Sequence, residues 1–306
     1  MMMVTKDGPQ RSILFRSVRA AFRRVAPDSF IATQRDFRNK LAAGGLKYVL
    51  KLRVDAYLGK YRCSVCARRV SSFAPLDAHC LSNLFASGWK YPASAAETCN
   101  LDNYSCPHCE ATDRDRLYAL YCSQYFPTIT SSSTVKIVDF APSPPLSAFI
   151  RRLVGRMPYS VSYVTADLFR PDVDDKVDIM DMKLYGDSSV DFFICSHVLE
   201  HVEDDRKALH ELYRILRQGG QGILIVPIIL TIDKIDEDPS VTEPAERWRR
   251  FGQFDHVRLY SKPGFLARVE EAGFTTTQLG LEHFGKETFR EHAISDQSVL
   301  YIVKKA

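Results

Sequence analysis

From Val135 onward the chain alternates short runs of β-branched and aromatic residues with stretches of helical periodicity, and this constrains its fold more than any other feature. A buried strand that leads into an amphipathic helix returns most readily to a parallel neighbour, so repeated units of this kind dictate a mostly parallel, Rossmann-like α/β sheet. The pattern predicts strands at Val135–Phe140, Ser160–Thr165, Val177–Ile179, Val190–Cys195 and Gly222–Val226, then two more at Thr275–Leu281 and Ser298–Val303. Helices are expected at Leu146–Val154, Asp204–Arg217 and Lys262–Ala272, with none before the last strand. A long connection runs from Pro227 to the stretch Gly252–Tyr260, and connections of that length often serve as lids or substrate loops.

The polar run Ser131–Thr134 divides this half from different sequence before it, which gives three expected regions: a basic helical region at 1–60, a cysteine module with a linking helix at 61–130, and a catalytic domain at 131–306. A chain of 306 residues exceeds the usual size of one core, in keeping with more than one region. Its apolar runs fall far short of the roughly 20 residues that span a bilayer, so no transmembrane segment is expected. Net charge is concentrated at the start, where residues 1–60 hold 13 Lys and Arg against 4 Asp and Glu. There Arg11, Arg16, Arg19, Arg23 and Arg24 interleave with Leu14, Val18, Phe22 and Val25, a basic amphipathic pattern ended by Pro27. Such a helix can pack on the body, bind an anionic surface or nucleic acid, or act as an organellar transit peptide. A long apolar stretch typical of secretion signals is missing from this region.

Four of the eight cysteines form two pairs, Cys63-Ser-Val-Cys66 and Cys106-Pro-His-Cys109. Each pair can present two thiolates from one tight turn, and two such turns can close a tetrahedral structural zinc site. Buried free thiols and redox chemistry are the competing readings, while His79, Cys80, Cys99 and His108 are spare ligands. This cysteine usage points to a reducing, cytoplasmic setting. Asp113-Arg-Asp-Arg116 follows the second pair, and ion pairing of Arg114 and Arg116 that fastens the module to the catalytic domain is the default, nucleic-acid contact the alternative.

Ligands of open α/β sheets bind outside the carboxyl ends of the strands. After the first strand stands Asp139-Phe-Ala-Pro-Ser-Pro-Pro145, without the glycines a pyrophosphate requires. Asp167 ends the second strand, where a carboxylate can accept from ribose hydroxyls or cap a turn, and Asp178 with Ile179 stands where an adenine amino edge can be addressed. Ser188–Val202 then leads into Asp204–Gly220, with the sequence Ser196-His-Val-Leu-Glu-His201 at its centre. This segment resembles the class I S-adenosylmethionine-dependent methyltransferases of the type 11 kind, and the resemblance runs from about Val135 to Lys304. It implies seven strands with the last antiparallel, and cofactor contacts from Phe140, Ala141, Pro142, Ser143, Asp167, Asp178, Ile179, Ser196 and His197. The preceding cysteine module also resembles an N-terminal extension found in some of these enzymes. Two departures stand out: family members usually carry an acidic residue where Ser143 stands, and Pro where Gln218 stands.

His197, Asp255 and His256 are the candidate catalytic residues, because a positioned base assists methyl transfer to a hydroxyl or amine. Loop fixing is the alternative role for Asp255 and His256, and capping for His201. His197-Val-Leu-Glu-His201 also fits a metalloprotease pattern, but that chemistry needs an uninterrupted helix where a buried strand is predicted. Arg247, Trp248, Arg249 and Arg250 lie on the lid, as a solvated face or as a clamp for an anionic or sugar-phosphate substrate. Three functions follow: methylation of a sugar, lipid-linked glycan or other small molecule; methylation of RNA or protein held by the module and basic region; or a non-catalytic adaptor.

Overall fold

The computed structural model describes residues 59–131 and 133–306, so the basic segment Arg11–Val25 lies outside the described residues. The described part begins with two short paired strands, β1 (Tyr61–Arg62) and β2 (Arg69–Val70), then helices α1 (Ala78–Ala86) and α2 (Asp113–Tyr125). The sheet follows with β3 (Val135–Phe140), α3 (Pro144–Val154), β4 (Val161–Asp167), β5 (Asp175–Lys176), β6 (Val190–Ser196), α4 (Asp205–Ile215) and β7 (Leu216–Ile225). Next come β8 (Asp236–Glu237), α5 (Pro244–Phe251) and β9 (Arg258–Leu259), then α6 (Lys262–Glu271), β10 (Thr275–Leu279), α7 (Leu281–Phe284), α8 (Lys286–Glu291) and β11 (Leu300–Lys304).

Seven strands form one sheet in the order β10-β11-β7-β6-β3-β4-β5. All pairings are parallel except those of β11, which runs antiparallel to both β7 and β10. The chain winds outward from β3 to β5 and restarts at β6 on the other side of β3, so the topological switch point lies between the carboxyl ends of β3 and β6. Buried residues run almost unbroken along β3 and β6, as expected of strands covered on both faces. Gly222 is required in β7 because a Cβ there would meet the Phe193 ring at 2.5 Å.

Helix ends follow local chemistry. Thr112 and Asp115 form a reciprocal capping box on α2, and Pro144 occupies the first turn of α3, where a missing N–H costs nothing. Asp204 caps α4 by accepting from the Lys207 amide at 2.9 Å. The third predicted strand is displaced: pairing is confined to Asp175–Lys176, and Val177 and Ile179 are buried by packing without a partner strand. Helix α4 also stops at Ile215, since Leu216 turns extended and begins β7 early. Two short helices, α7 and α8, fill the stretch before the last strand where no helix was expected.

The cysteine module shares a continuous core with the sheet within one unit, Leu58–Ala306. Arg116 is wholly buried, stacks 3.7 Å from the centre of the Phe73 ring, and donates to the backbone carbonyls of His292, Ala293, Tyr104, Asn103 and Ala111. It therefore fastens the module through carbonyls and not through the expected ion pairs. A second small core joins Ala95, Ile229, Phe251 and Leu259, and isolated bridges pair Ala96 with Ile229 and Ile228 with Tyr260. No helix among the described residues is long and apolar enough to cross a membrane.

Candidate functional site

The four predicted thiols converge. Cys63 and Cys109 Sγ lie 3.7 Å apart, Cys66 and Cys106 Sγ 3.9 Å apart, and all four fall within 4.8 Å of one another. A tetrahedron with metal–sulfur arms of about 2.3 Å has edges of roughly 3.8 Å, so the spacing fits a zinc ion held by four thiolates. Each pair sits on the same kind of knuckle: the Ala67 amide donates to the Cys63 carbonyl and the Glu110 amide to the Cys106 carbonyl, both at 2.8 Å. Ala67 and Glu110 take φ values of 61° and 63° to close these turns. The spare candidates do not join the cluster: His79 Nε2 meets Asn83, Cys80 is exposed, and His108, within the second knuckle, meets Arg68 at 3.2 Å.

At the sheet, Ala141 and His197 each follow directly on a strand end and each adopts a positive φ, 49° and 56°. Non-glycine residues in this conformation carry strain of about 1–3 kcal/mol and gather at functional turns. The two turns flank the switch point. Ser143 heads α3, and its hydroxyl donates to Asp115 Oδ2 at 3.0 Å. An acidic group, supplied by α2, thus stands beside Ser143. Asp167 Oδ1 accepts from the amides of Phe169 and Arg170, and Asp178 Oδ1 from that of Met180 at 2.8 Å. Both carboxylates shape their turns, and Asp178 lies in the loop after β5. Ser196 Oγ pairs with the Tyr118 hydroxyl at 2.8 Å.

Beneath the turn after β3, Asp139 is buried and accepts from Tyr163 at 2.5 Å and Ser147 at 3.2 Å. Burial pushes its carboxyl up to about 7.

His197 is reached from the module. Arg114 donates from Nη1 to the imidazole Nε2 at 2.5 Å and from Nη2 to the Tyr104 hydroxyl at 3.1 Å. Burial first, and then the Arg114 guanidinium, lower His197 to about 4, so its ring is neutral at pH 7. Residues 197–204 form turns and bends, not a helix, which removes the geometry the metalloprotease pattern requires.

Beyond His197 lies a group that sequence reasoning passed over. Glu200 is fully buried, and neither carboxylate oxygen has a hydrogen-bond partner. His197 Nδ1 comes within 3.1 Å and His201 Nε2 within 3.9 Å of its Oε1, off the line of a hydrogen bond. His256 comes from the lid and packs edge-on against His201 with ring centres 4.7 Å apart. Asp255 Oδ2 lies 3.4 Å from His201 Nδ1, and His256 Nδ1 lies 3.0 Å from the Phe251 carbonyl. The three predicted catalytic residues therefore gather around Glu200 and His201. Its apolar neighbours Val198 and Leu199 gave Glu200 the look of core sequence; the signal available was one acid between two histidines.

The lid is tied down beside this group. The Val257 amide donates to the Glu200 carbonyl at 2.9 Å, and Arg258 donates to the carbonyls of Leu199, Val202 and Glu203. Arg268 and Arg258 bracket Glu237 and Asp205 in a buried ionic network. The lid arginines are engaged within the lid: Arg249 with Glu246, Arg250 with Asp236 and Asp238, Arg247 with the Val241 carbonyl.

Residues 133–224 match the family model described as "Methyltransferase domain", a span from β3 into β7 that includes Asp167, Asp178 and His197. Solved structures resembling the chain include the CMeT domain of a citrinin polyketide synthase, at 15% identity, 66% of this chain, 55% of that one and a TM-score of 0.44. The CurJ carbon methyltransferase aligns at 13% identity over 63% of this chain and 53% of that one, with a TM-score of 0.39. A SAM dependent methyltransferase from Archaeoglobus fulgidus aligns at 12% identity over 62% of this chain and 92% of that one, with a TM-score of 0.37. The chain spans about half the length of the first two. No curated protein matches the sequence.

Proposed function

We propose that this chain, whose residues 133–224 belong to the methyltransferase-domain family, is an enzyme that moves a methyl group from S-adenosylmethionine to an acceptor held under its lid. The observation that carries the reading is the switch point itself, where two strained turns at Ala141 and His197 face each other at the carboxyl edge of a sheet with this strand order. Phe140, Ala141, Pro142 and Ser143 supply the glycine-poor turn, with Asp115 beside it, and Asp167, Asp178, Ile179 and Ser196 complete the cofactor wall. Adenosylmethionine held by these residues would supply an electrophilic methyl group with a neutral thioether as its leaving group.

The protein's part is alignment, exclusion of water and removal of the acceptor's proton. His197 is held by Arg114 and orients the turn. Asp255 and His256 stand on the lid, where the Phe251 carbonyl fixes the His256 ring through Nδ1. Zinc at Cys63, Cys66, Cys106 and Cys109 is structural in this reading, since it fixes the turn from which α2 sends Arg114 and Asp115 to the site.

A small acceptor, a sugar or lipid-linked glycan among the candidates, is favoured over RNA or protein because the lid and the module bridge to each other through Ala96 and Ile229. The Asp115 carboxylate beside Ser143 speaks against a non-catalytic adaptor. Calorimetric titration with adenosylmethionine should give micromolar binding, and no heat at millimolar cofactor would sink the enzyme reading. A labelled-methyl screen against small molecules, RNA and protein extract then sorts the acceptor classes; transfer to RNA or protein alone would replace the small-acceptor reading.

A further inference from the structure

The Glu200 cluster raises a question of charge that the cofactor wall does not answer. A carboxylate taken wholly out of water is costly unless paired, and an unpaired buried ion costs several kcal/mol. Glu200 is 0% exposed and neither oxygen is hydrogen-bonded. Among the described residues the basic side chains within 4.0 Å of it are imidazoles, and His197, whose Nε2 accepts from Arg114, turns Nδ1–H toward Oε1 at 3.1 Å off the line of a hydrogen bond, which leaves Oε2 without a donor.

The proton positions on two of those rings are set from behind. His256 Nδ1 faces the Phe251 carbonyl at 3.0 Å, and a carbonyl can only accept, so that nitrogen carries the proton. His201 Nδ1 faces the Asp255 carboxylate at 3.4 Å, with the same result. Each ring is left with a lone pair on Nε2, and that of His201 looks toward Glu200 Oε1 across 3.9 Å. Lone pairs on two imidazoles and a carboxylate cannot satisfy one another; a cation between them can. One ligand atom from each of Glu200, His201 and His256 lies within 4.8 Å of the other two. A ring nitrogen that ligates a metal while its partner nitrogen donates to a carboxylate or carbonyl is the usual outer-shell arrangement of metal-bound histidine.

We propose that Glu200, His201 and His256 form a binding site for a divalent first-row transition-metal ion. Two imidazoles and one carboxylate suit manganese, iron, cobalt or zinc better than magnesium or calcium, which prefer oxygen ligands alone. His197 is not among the ligands, because Arg114 occupies its Nε2. The ligands come from two segments that the Val257 amide and the Arg258 side chain hold together, so the site is built before the ion arrives. Three protein ligands leave coordination positions open, and the side chain of His201 is 32% exposed. An acceptor oxygen bound there would lose its proton more readily, which would direct the transferase to oxygen acceptors. That consequence rests on the methyl-transfer reading; binding of the ion does not.

The test uses the full chain loaded with zinc at its cysteines and Co²⁺ alone as probe. Cobalt held by nitrogen and oxygen gives weak ligand-field bands without the intense thiolate charge-transfer band that exchange for zinc would add. About one Co²⁺ per chain is expected with the first signature, following the ligand preferences of such sites. Glu200→Gln should weaken uptake by roughly 100-fold, and Asp255→Asn, which removes the acceptor behind His201, by roughly 10-fold. Glutamine preserves shape, so this variant should fold; melting curves provide a second readout, with Co²⁺ raising the Tm of the parent and not of the variant. Cobalt uptake confined to the thiolates overturns the proposal. So does uptake, or a Tm rise, that is indifferent to both Glu200→Gln and His256→Gln. Adenosylmethionine titration of the same samples decides the methyl-transfer reading separately.

Discussion

The two clusters of ligating side chains differ in what they face. Cys63, Cys66, Cys106 and Cys109 converge on one another, on knuckles whose amides hold the chain against itself, with Cys63 and Cys106 almost completely buried. Glu200, His201 and His256 face a common point from two segments, with one ring partly open to solvent. A closed site returns its binding energy to folding, whereas an open one keeps coordination positions for chemistry. The backbone bonds of the knuckles set the turns, and a metal at the thiols would join the two turns to each other.

The largest effect should come from closing that comparison at the thiols. Changing Cys106 and Cys109 together to Ser should remove the zinc, about one per chain by elemental analysis, and with it a binding energy that reaches roughly 10 kcal/mol or more in structural zinc sites. The module should then show loss of amide protection while the strands keep theirs; a fully protected module without metal would erase the distinction. Arg116→Ala comes next, at roughly 3–5 kcal/mol, because its five carbonyl partners lose a buried cation that nothing else reaches. Zinc content in that variant should stay at the parent value, which separates fastening from ligation.

A pair of buried carboxylates sharpens the contrast further. Asp139 is satisfied by two hydroxyls and raised to about 7, above its unfolded value. Its contribution is fully present below the unfolded value near 4 and is lost as pH rises through about 7. Asp139→Asn should therefore raise the Tm at pH 8 and change it little at pH 4, with a ceiling of roughly 4 kcal/mol. Identical shifts at both pH values would place the effect in packing and not in charge. The smallest change is expected from Glu200→Gln in metal-free protein, about 1 kcal/mol or less, because the imidazoles around Glu200 offset the cost of burying its charge. A loss of several kcal/mol there would mean that the cluster is structural, like the thiols.

How far these regions could be read from sequence follows the same line. Strand β3 begins and ends on the predicted residues because a run of Val, Ile and Phe between a polar boundary and a proline-rich turn has few alternatives. The strand expected at Val177–Ile179 was misplaced because alternation of Val, Asp and Ile records burial, which here comes from packing without pairing. The cysteine pairs were legible because their ligands lie three residues apart. Arg114 and Asp115 were not assigned to the sheet edge, since nothing local in Asp113-Arg-Asp-Arg116 says that Arg114 meets a histidine 83 positions on. The lid helix, Pro244–Phe251, was hidden by its charge, most of which pairs within the lid.

Helix α2 starts four residues after Cys109, and its first turn carries both Arg114, which holds His197, and Asp115, which holds Ser143. Whatever orders one end of that turn orders the other. By thermodynamic reciprocity, a ligand that tightens the sheet edge must raise the module's affinity for its metal by the same factor that the metal raises the affinity for the ligand. Occupancy of the thiol cluster would then be felt as affinity at the sheet edge, without the ion coming near that edge.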